Sequence, residues 1–131
     1  MKITILCENE TSAECWDKDV VSEWGFSAFL QTENANVLFD TGKTDVYWRN
    51  AENLGIDLNK TDFIILSHYH LDHAKGLMFH NFKDKKKLLI HPHILKKLPK
   101  EDSDKCKNDF EIITSDTPLE FAPNVFYLGE I

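Results

Sequence analysis

Ile3, Ile5 and Cys7 alternate with polar Lys2 and Thr4, the period-2 pattern of a strand with one buried face. From Glu8 to Glu23 the chain is polar and acidic and reads as a long loop. Two stretches rich in aromatic and aliphatic residues follow, Gly25 to Gln31 and Asn36 to Asp40, and the polar Thr32-Glu33-Asn34-Ala35 between them marks a hairpin. Tyr47, Ala51 and Leu54 then recur at i, i+4 and i+7. With Thr44 as N-cap, Asp45 in the first turn and Gly55 at the C′ position, this spacing predicts a helix with one buried stripe. Phe63 to Leu66 is a continuous apolar run, expected of a strand covered on both faces, and Ser67 to His73 follows it as a loop. Leu88 to Ile90 is a second such strand, Pro92 to Leu98 a short helix stopped by Pro99, and Phe110 to Ile113 and Val125 to Leu128 are further strands. The order β, ββ, α, β, loop, β, α, β, β predicts an α/β layering in one domain, residues 1–131.

Charge and composition narrow the field. The net charge of −7 disfavours a general nucleic-acid binder. It is unevenly spread: Lys83 to Lys107 holds nine lysines against four acidic residues. A solvated lysine-rich surface is the favoured reading of that stretch, and an anion-attracting patch the alternative. Cys7, Cys15 and Cys106 are odd in number and lack CxxC spacing, so no disulfide framework is expected and a reducing cytoplasm fits. No apolar run approaches the roughly 20 residues of a membrane-spanning helix, and the N-terminus lacks a signal-peptide pattern.

The chemistry concentrates in Ser67-His68-Tyr69-His70-Leu71-Asp72-His73, where three of the six histidines fall within six residues around a carboxylate. Neutral imidazole and carboxylate are ligands for zinc, iron(II) or manganese(II). His68 and His70, two apart at a strand end, can point the same way, and Asp72 and His73 can turn toward a neighbouring position. The spacing suits up to two adjacent metal ions, His68/His70 at one and Asp72/His73 at the other.

This HxHxDH stretch resembles the metal motif of the metallo-β-lactamase superfamily. Upstream, Val37-Leu38-Phe39-Asp40-Thr41-Gly42 resembles that family's strand ending in Asp-Thr-Gly, Trp24-Gly25-Phe26-Ser27 the opening of the preceding strand, and Asn50 to Asp57 the helix and turn before the metal strand. Residues 1 to about 80 and the tail Asn124 to Ile131 are most similar to the dihydropterin/ribofuranosylaminobenzene-phosphate synthase-like branch. The resemblance implies a metal-dependent hydrolase of small-molecule substrates. His68 and His70 would hold a first metal, most simply zinc, and Asp72 and His73 a second. Asp72 would also orient the attacking water. Asp40 would be a buried carboxylate behind the metal loop, and reads equally as a turn residue.

The family fold is an αββα sandwich of two similar halves, and the resemblance covers the N-terminal half-sandwich alone. The other half would add a third histidine, a bridging aspartate and a last histidine; the Cys-Ser-His segment of the branch is absent. His80, His91 and His93 are substitutes by type, with surface histidines the favoured reading; Lys75 near the loop either binds an anion or points to solvent, and solvent is favoured. Three functions stay open: a hydrolase half completed by a second copy or a separate chain, a non-catalytic remnant or binding module that keeps the motif, and a nuclease using the lysine stretch. An apolar sheet face near Ile3, Phe26, Phe39 and Ile64 is expected to await the other half.

Overall fold

The six strands of the main sheet lie side by side in the order in which the chain makes them. The computed structural model describes residues 1–11 and 17–129; Cys15, the middle of the expected Glu8–Glu23 loop and the last two residues lie outside it. Strands β1 (Lys2–Cys7), β2 (Ser27–Gln31) and β3 (Asn36–Phe39) form an antiparallel meander. From β3 onward, β4 (Phe63–Ile65), β5 (Lys86–Ile90) and β6 (Phe110–Thr114) run parallel. A parallel neighbour needs a crossover, and helical segments supply each one. Helix α1 (Val46–Asn53) links β3 to β4. Helix α2 (Leu71–Ala74), continued as a 3₁₀ stretch Lys75–Phe79, links β4 to β5. Helices α3 (Pro92–Lys97) and α4 (Lys100–Asp109) link β5 to β6.

Strand register sorts the side chains. Phe29, Leu38, Ile64 and Leu88 lie in one row across the sheet. They are buried with Tyr47, Trp48 and Ala51 of α1, Ala74, Leu77, Ile94 of α3 and Cys106 of α4. All the crossovers therefore cover this one face. The opposite face carries the row Ile5, Ala28, Phe39, Ile65, Leu89 and Ile113, one apolar residue from every strand. A hairpin of β7 (Leu119–Ala122) and β8 (Val125–Tyr127) packs over its middle, with Phe121, Val125 and Tyr127 against Val37, Ile65 and Leu89. Ile3 and Ile5 at the β1 edge remain 54% and 46% exposed. The face expected to stay open is thus partly roofed by the chain's own hairpin. Ile64 is not part of it, since its neighbour in register, Leu38, points to the helices.

The hairpin, the striped helix and the strands named from the pattern are present. Gly55 adopts φ +76 just beyond α1, the left-handed C′ conformation that favours glycine. The helix itself starts at Val46, with Asp45 in the cap position and Thr44 Oγ1 accepting from the Val46 N–H at 3.4 Å. Three elements escaped the pattern, among them β7, whose residues Leu119–Ala122 were not read as a strand. Helix α4 is a charged segment that buries Cys106, Asp102 and Ser103 and has no apolar stripe to reveal it. The expected Ser67–His73 loop winds into α2 at Leu71.

Candidate metal centre

Strands β3 and β4 are parallel neighbours, so the residues just past their ends meet at the carboxyl edge of the sheet, the edge where α/β proteins gather their ligands. Asp40 N–H donates to the Ile65 carbonyl (2.9 Å). The chain turns there with Asp40 at φ +55, and its side chain is 1% exposed. This buried carboxylate accepts three donors: Ser67 N–H at 2.8 Å on Oδ1, and the Ser67 hydroxyl at 2.6 Å and His73 Nδ1–H at 2.8 Å on Oδ2. Burial pushes its pKa up, and the bonds from Ser67 and His73 pull it back. Asp40 thus has features of both readings: it turns the chain at φ +55, and its buried carboxylate bonds to Ser67 and His73.

Above Asp40 the motif residues converge. The His68 ring lies 4.3 Å from that of His73 and 4.6 Å from that of His70, centroid to centroid. With His73 Nδ1 bound to Asp40, its Nε2 faces outward, 3.7 Å from Asp72 Oδ2. That is too long for a hydrogen bond, but close to the separation of about 3.3 Å between two ligands of one tetrahedral zinc at about 2.0–2.1 Å each. Burial and the neighbouring His73 hold the His68 pKa below its ordinary value, a shift toward the neutral imidazole that a metal ligand needs. Asp40, His68 and His73 each offer a donor atom within 4.8 Å of the others. Of the predicted ligands this group joins His68 and His73, while His70 and Asp72 lie outside it; imidazole and carboxylate are donors of the type a divalent metal takes.

The backbone around the motif is clasped from two sides. Thr41 donates to the His73 carbonyl through its N–H (2.8 Å) and its hydroxyl (3.1 Å), Phe26 N–H to the Asp72 carbonyl (3.1 Å), and Gly76 N–H to the Gly42 carbonyl (2.9 Å). These approaches leave no room for side chains. A Cβ on Gly25 would lie 2.5 Å from the Asp72 carbonyl oxygen, and one on Gly76 only 2.0 Å from that of Thr41. Glu23 anchors the loop after Gly42, its Oε1 accepting the N–H groups of Lys43 (2.7 Å) and Thr44 (3.1 Å) and its Oε2 the Thr44 hydroxyl. Ser67 and Gly25 were read only as members of longer motif stretches, and Glu23 and Gly76 were given no role from sequence. Only the position of Ser67, between the apolar strand and the first histidine, hinted at it.

The other candidates are placed elsewhere. His80 donates from Nε2 to Asp109 (2.8 Å), accepts the Phe82 N–H at Nδ1 (3.1 Å) and stacks on Phe82; it is built into the helix-side core. His91 caps α3 by accepting the His93 N–H at Nδ1 (3.0 Å). Lys75 corrects the expectation of a free solvent-facing side chain, since its ammonium binds both Asp102 oxygens at 3.1 and 2.8 Å. Within Lys83–Lys107, Lys86, Lys100 and Lys105 pair with Asp84, Asp104 and Asp109, which weakens the anion-patch reading. Cys7 and Cys106 are buried free thiols. Among the described residues no helix is long and apolar enough to cross a membrane.

Comparison with known proteins agrees with the fold. A curated relative from Methanocaldococcus jannaschii, described as a 7,8-dihydropterin-6-methyl-4-(beta-D-ribofuranosyl)-aminobenzene-5'-phosphate synthase, is 31% identical over 84% of this chain and 45% of its own. Among solved structures, a metal-dependent hydrolase of the beta-lactamase superfamily superimposes with a TM-score of 0.70 at 27% identity, covering 95% of this chain and 46% of that one. A quorum-quenching N-acyl homoserine lactone lactonase gives 0.58 at 21% identity, over 79% and 49%, and shares the fold. The chain thus spans about half the length of these relatives. The metallo-beta-lactamase superfamily model itself matches residues 25–127, and the chain belongs to that superfamily.

Proposed function

We propose that this chain is the metal-holding half of a metal-dependent hydrolase acting on a small-molecule substrate. The observation that carries the reading is the convergence of His68, His70, Asp72 and His73 above the buried Asp40 carboxylate. His68 and His70 would hold one ion and Asp72 and His73 a second, zinc by donor type, with iron or manganese accepted by the same donors. Bound there, the metal supplies Lewis acidity and brings the pKa of its water to about 7. Asp72, at the outer side of the motif, orients the attacking water. Asp40 and the Thr41 clasp hold His73 in place. The buried free thiols support a reducing, cytoplasmic setting.

Two protein donors per ion fall short of the three that catalytic zinc normally has, so the site would draw its further donors from a second polypeptide segment. The part of the second sheet face that the β7–β8 hairpin leaves uncovered is where that segment would pack. Ile3, Ile5, Phe126 and Leu128 at its margins are 46–79% exposed. Covering about 800 Å² would contribute roughly 20 kcal/mol before the costs of association. An inert remnant that keeps the motif is the competing reading.

Activity separates the two. Purified chain is screened against ester and phosphodiester substrates with zinc or manganese added, alone and with candidate complementing chains. The expected result is weak turnover alone, a rise on complementation, and loss of both with Asp72→Ala. Turnover indifferent to Asp72→Ala would contradict the role given to that carboxylate. Sedimentation at micromolar concentration tests the partner. A closed monomer with no dye-accessible apolar surface would show that the chain completes its core alone.

A further inference from the structure

With Asp40 ionised, the hydrogen-bond chain behind the metal-facing side of the site has only one self-consistent distribution of protons. Asp40 Oδ2 lies 2.6 Å from Ser67 Oγ and 2.8 Å from His73 Nδ1, while Oδ1 takes the Ser67 N–H at 2.8 Å. A carboxylate has no proton to give. Ser67 must therefore spend its single hydroxyl proton on Asp40. That leaves Ser67 Oγ as an acceptor, 2.8 Å from His68 Nδ1, so Nδ1 of His68 carries the proton and Nε2 carries the lone pair. A protonated Asp40 would reverse the chain. Its proton would go to Ser67, the Ser67 proton to His68 Nδ1, and His68 would be left with a hydrogen on Nε2, the nitrogen a metal needs free.

From this geometry we infer that Ser67 is a positioning residue that fixes the tautomer of His68, so that one buried carboxylate orients two imidazoles. Asp40 acts on His73 directly and on His68 through the Ser67 hydroxyl. Both rings are then held as Nδ1–H with Nε2 presented away from Asp40. Such partners behind a ligand set its tautomer and ring orientation. Ser67 is suited to the task because it is 4% exposed and fixed to Asp40 through its own N–H as well as its hydroxyl, so the oxygen cannot swing away. The purpose of the relay rests on the metal-holding reading; the relay itself does not.

The test reads the tautomer without metal. A uniformly ¹⁵N-labelled chain, stripped with a chelator and held at about pH 8, above the ordinary imidazole pKa, is examined by long-range ¹H–¹⁵N correlation. His68 and His73 are both expected as Nδ1–H. In Ser67→Ala, His68 shifts toward a mixture containing Nε2–H while His73, with its own bond to Asp40, stays unchanged. Ser67→Thr keeps the hydroxyl and restores the wild-type pattern. Zinc affinity, measured by competition with a chromophoric chelator, falls about 10-fold in Ser67→Ala and recovers in Ser67→Thr. The inference is overturned if His68 is Nε2–H in the wild-type chain, a result that needs no variant to fold, or if its tautomer is the same in Ser67→Ala. A wild-type chain that takes up no zinc, yet shows the Ser67-dependent tautomer, would remove the metal reading and leave the relay standing.

Discussion

Asp40→Asn changes the charge of the site with almost no change in volume. The wild-type carboxylate accepts from Ser67 N–H, the Ser67 hydroxyl and His73 Nδ1–H. An amide keeps one oxygen, which can retain Ser67 N–H, but turns an NH₂ group toward the other two donors. Ser67 can rotate its hydroxyl to accept. His73 can restore its bond only by moving its proton to Nε2, the nitrogen that faces Asp72 at 3.7 Å. Two opposing terms then act on stability. Charge-assisted hydrogen bonds contribute roughly 1.5–3 kcal/mol each, while removing the charge relieves the desolvation that holds the Asp40 pKa up. The terms offset, and a net loss of about 1–2 kcal/mol is expected in the metal-free chain. Metal binding has no such compensation. A lost partner behind a ligand weakens affinity 10- to 100-fold, or about 1.4–2.7 kcal/mol. Chelator competition with zinc gives the affinity, and thermal melting of the metal-free chain gives the stability. An Asp40→Asn variant that folds and binds zinc as tightly as wild type would refute the orienting role of Asp40.

Two further outcomes follow from the same structure. Gly76→Ala forces a Cβ to within 2.0 Å of the Thr41 carbonyl oxygen; the backbone must shift, and a loss of about 2–3 kcal/mol should lower Tm by roughly 7–11 °C for a chain of this size, so an unchanged Tm contradicts the close packing of the two loops. Hydrogen bonds from Lys105, His80 and Asn108 hold the Asp109 pKa well below the usual carboxylate value. A depressed folded-state pKa contributes stability that is present above the ordinary Asp value of about 3.9 and lost as pH falls below it, so wild type should out-melt Asp109→Asn at pH 7 by a margin that narrows below about pH 4; a margin constant with pH would contradict this.

Much of the fold was legible because local patterns and burial agree. The hairpin between β2 and β3, the α1 stripe and its Gly55 stop, and the apolar runs of β4 and β5 each follow from residues that must face a core. Helix α4 was not legible. Its polar sequence is held by tertiary contacts, Asp102 to Lys75 and Cys106 to the core, which no local period announces. The same holds at the site. His68, His70, Asp72 and His73 stand out by type and spacing, whereas Ser67, Glu23, Gly25 and Gly76 matter through contacts with chain segments up to about fifty residues away. Lys75 was misplaced for that reason: its partner lies 27 residues on.

The most direct measurement is the metal content of the purified chain after zinc loading and desalting, determined by elemental analysis for wild type and for a His68→Ala/His70→Ala variant. Wild type should retain zinc, up to two ions per chain, and the folded double variant should retain markedly less. Equal metal in both chains would show that the HxHxDH cluster is not where metal binds.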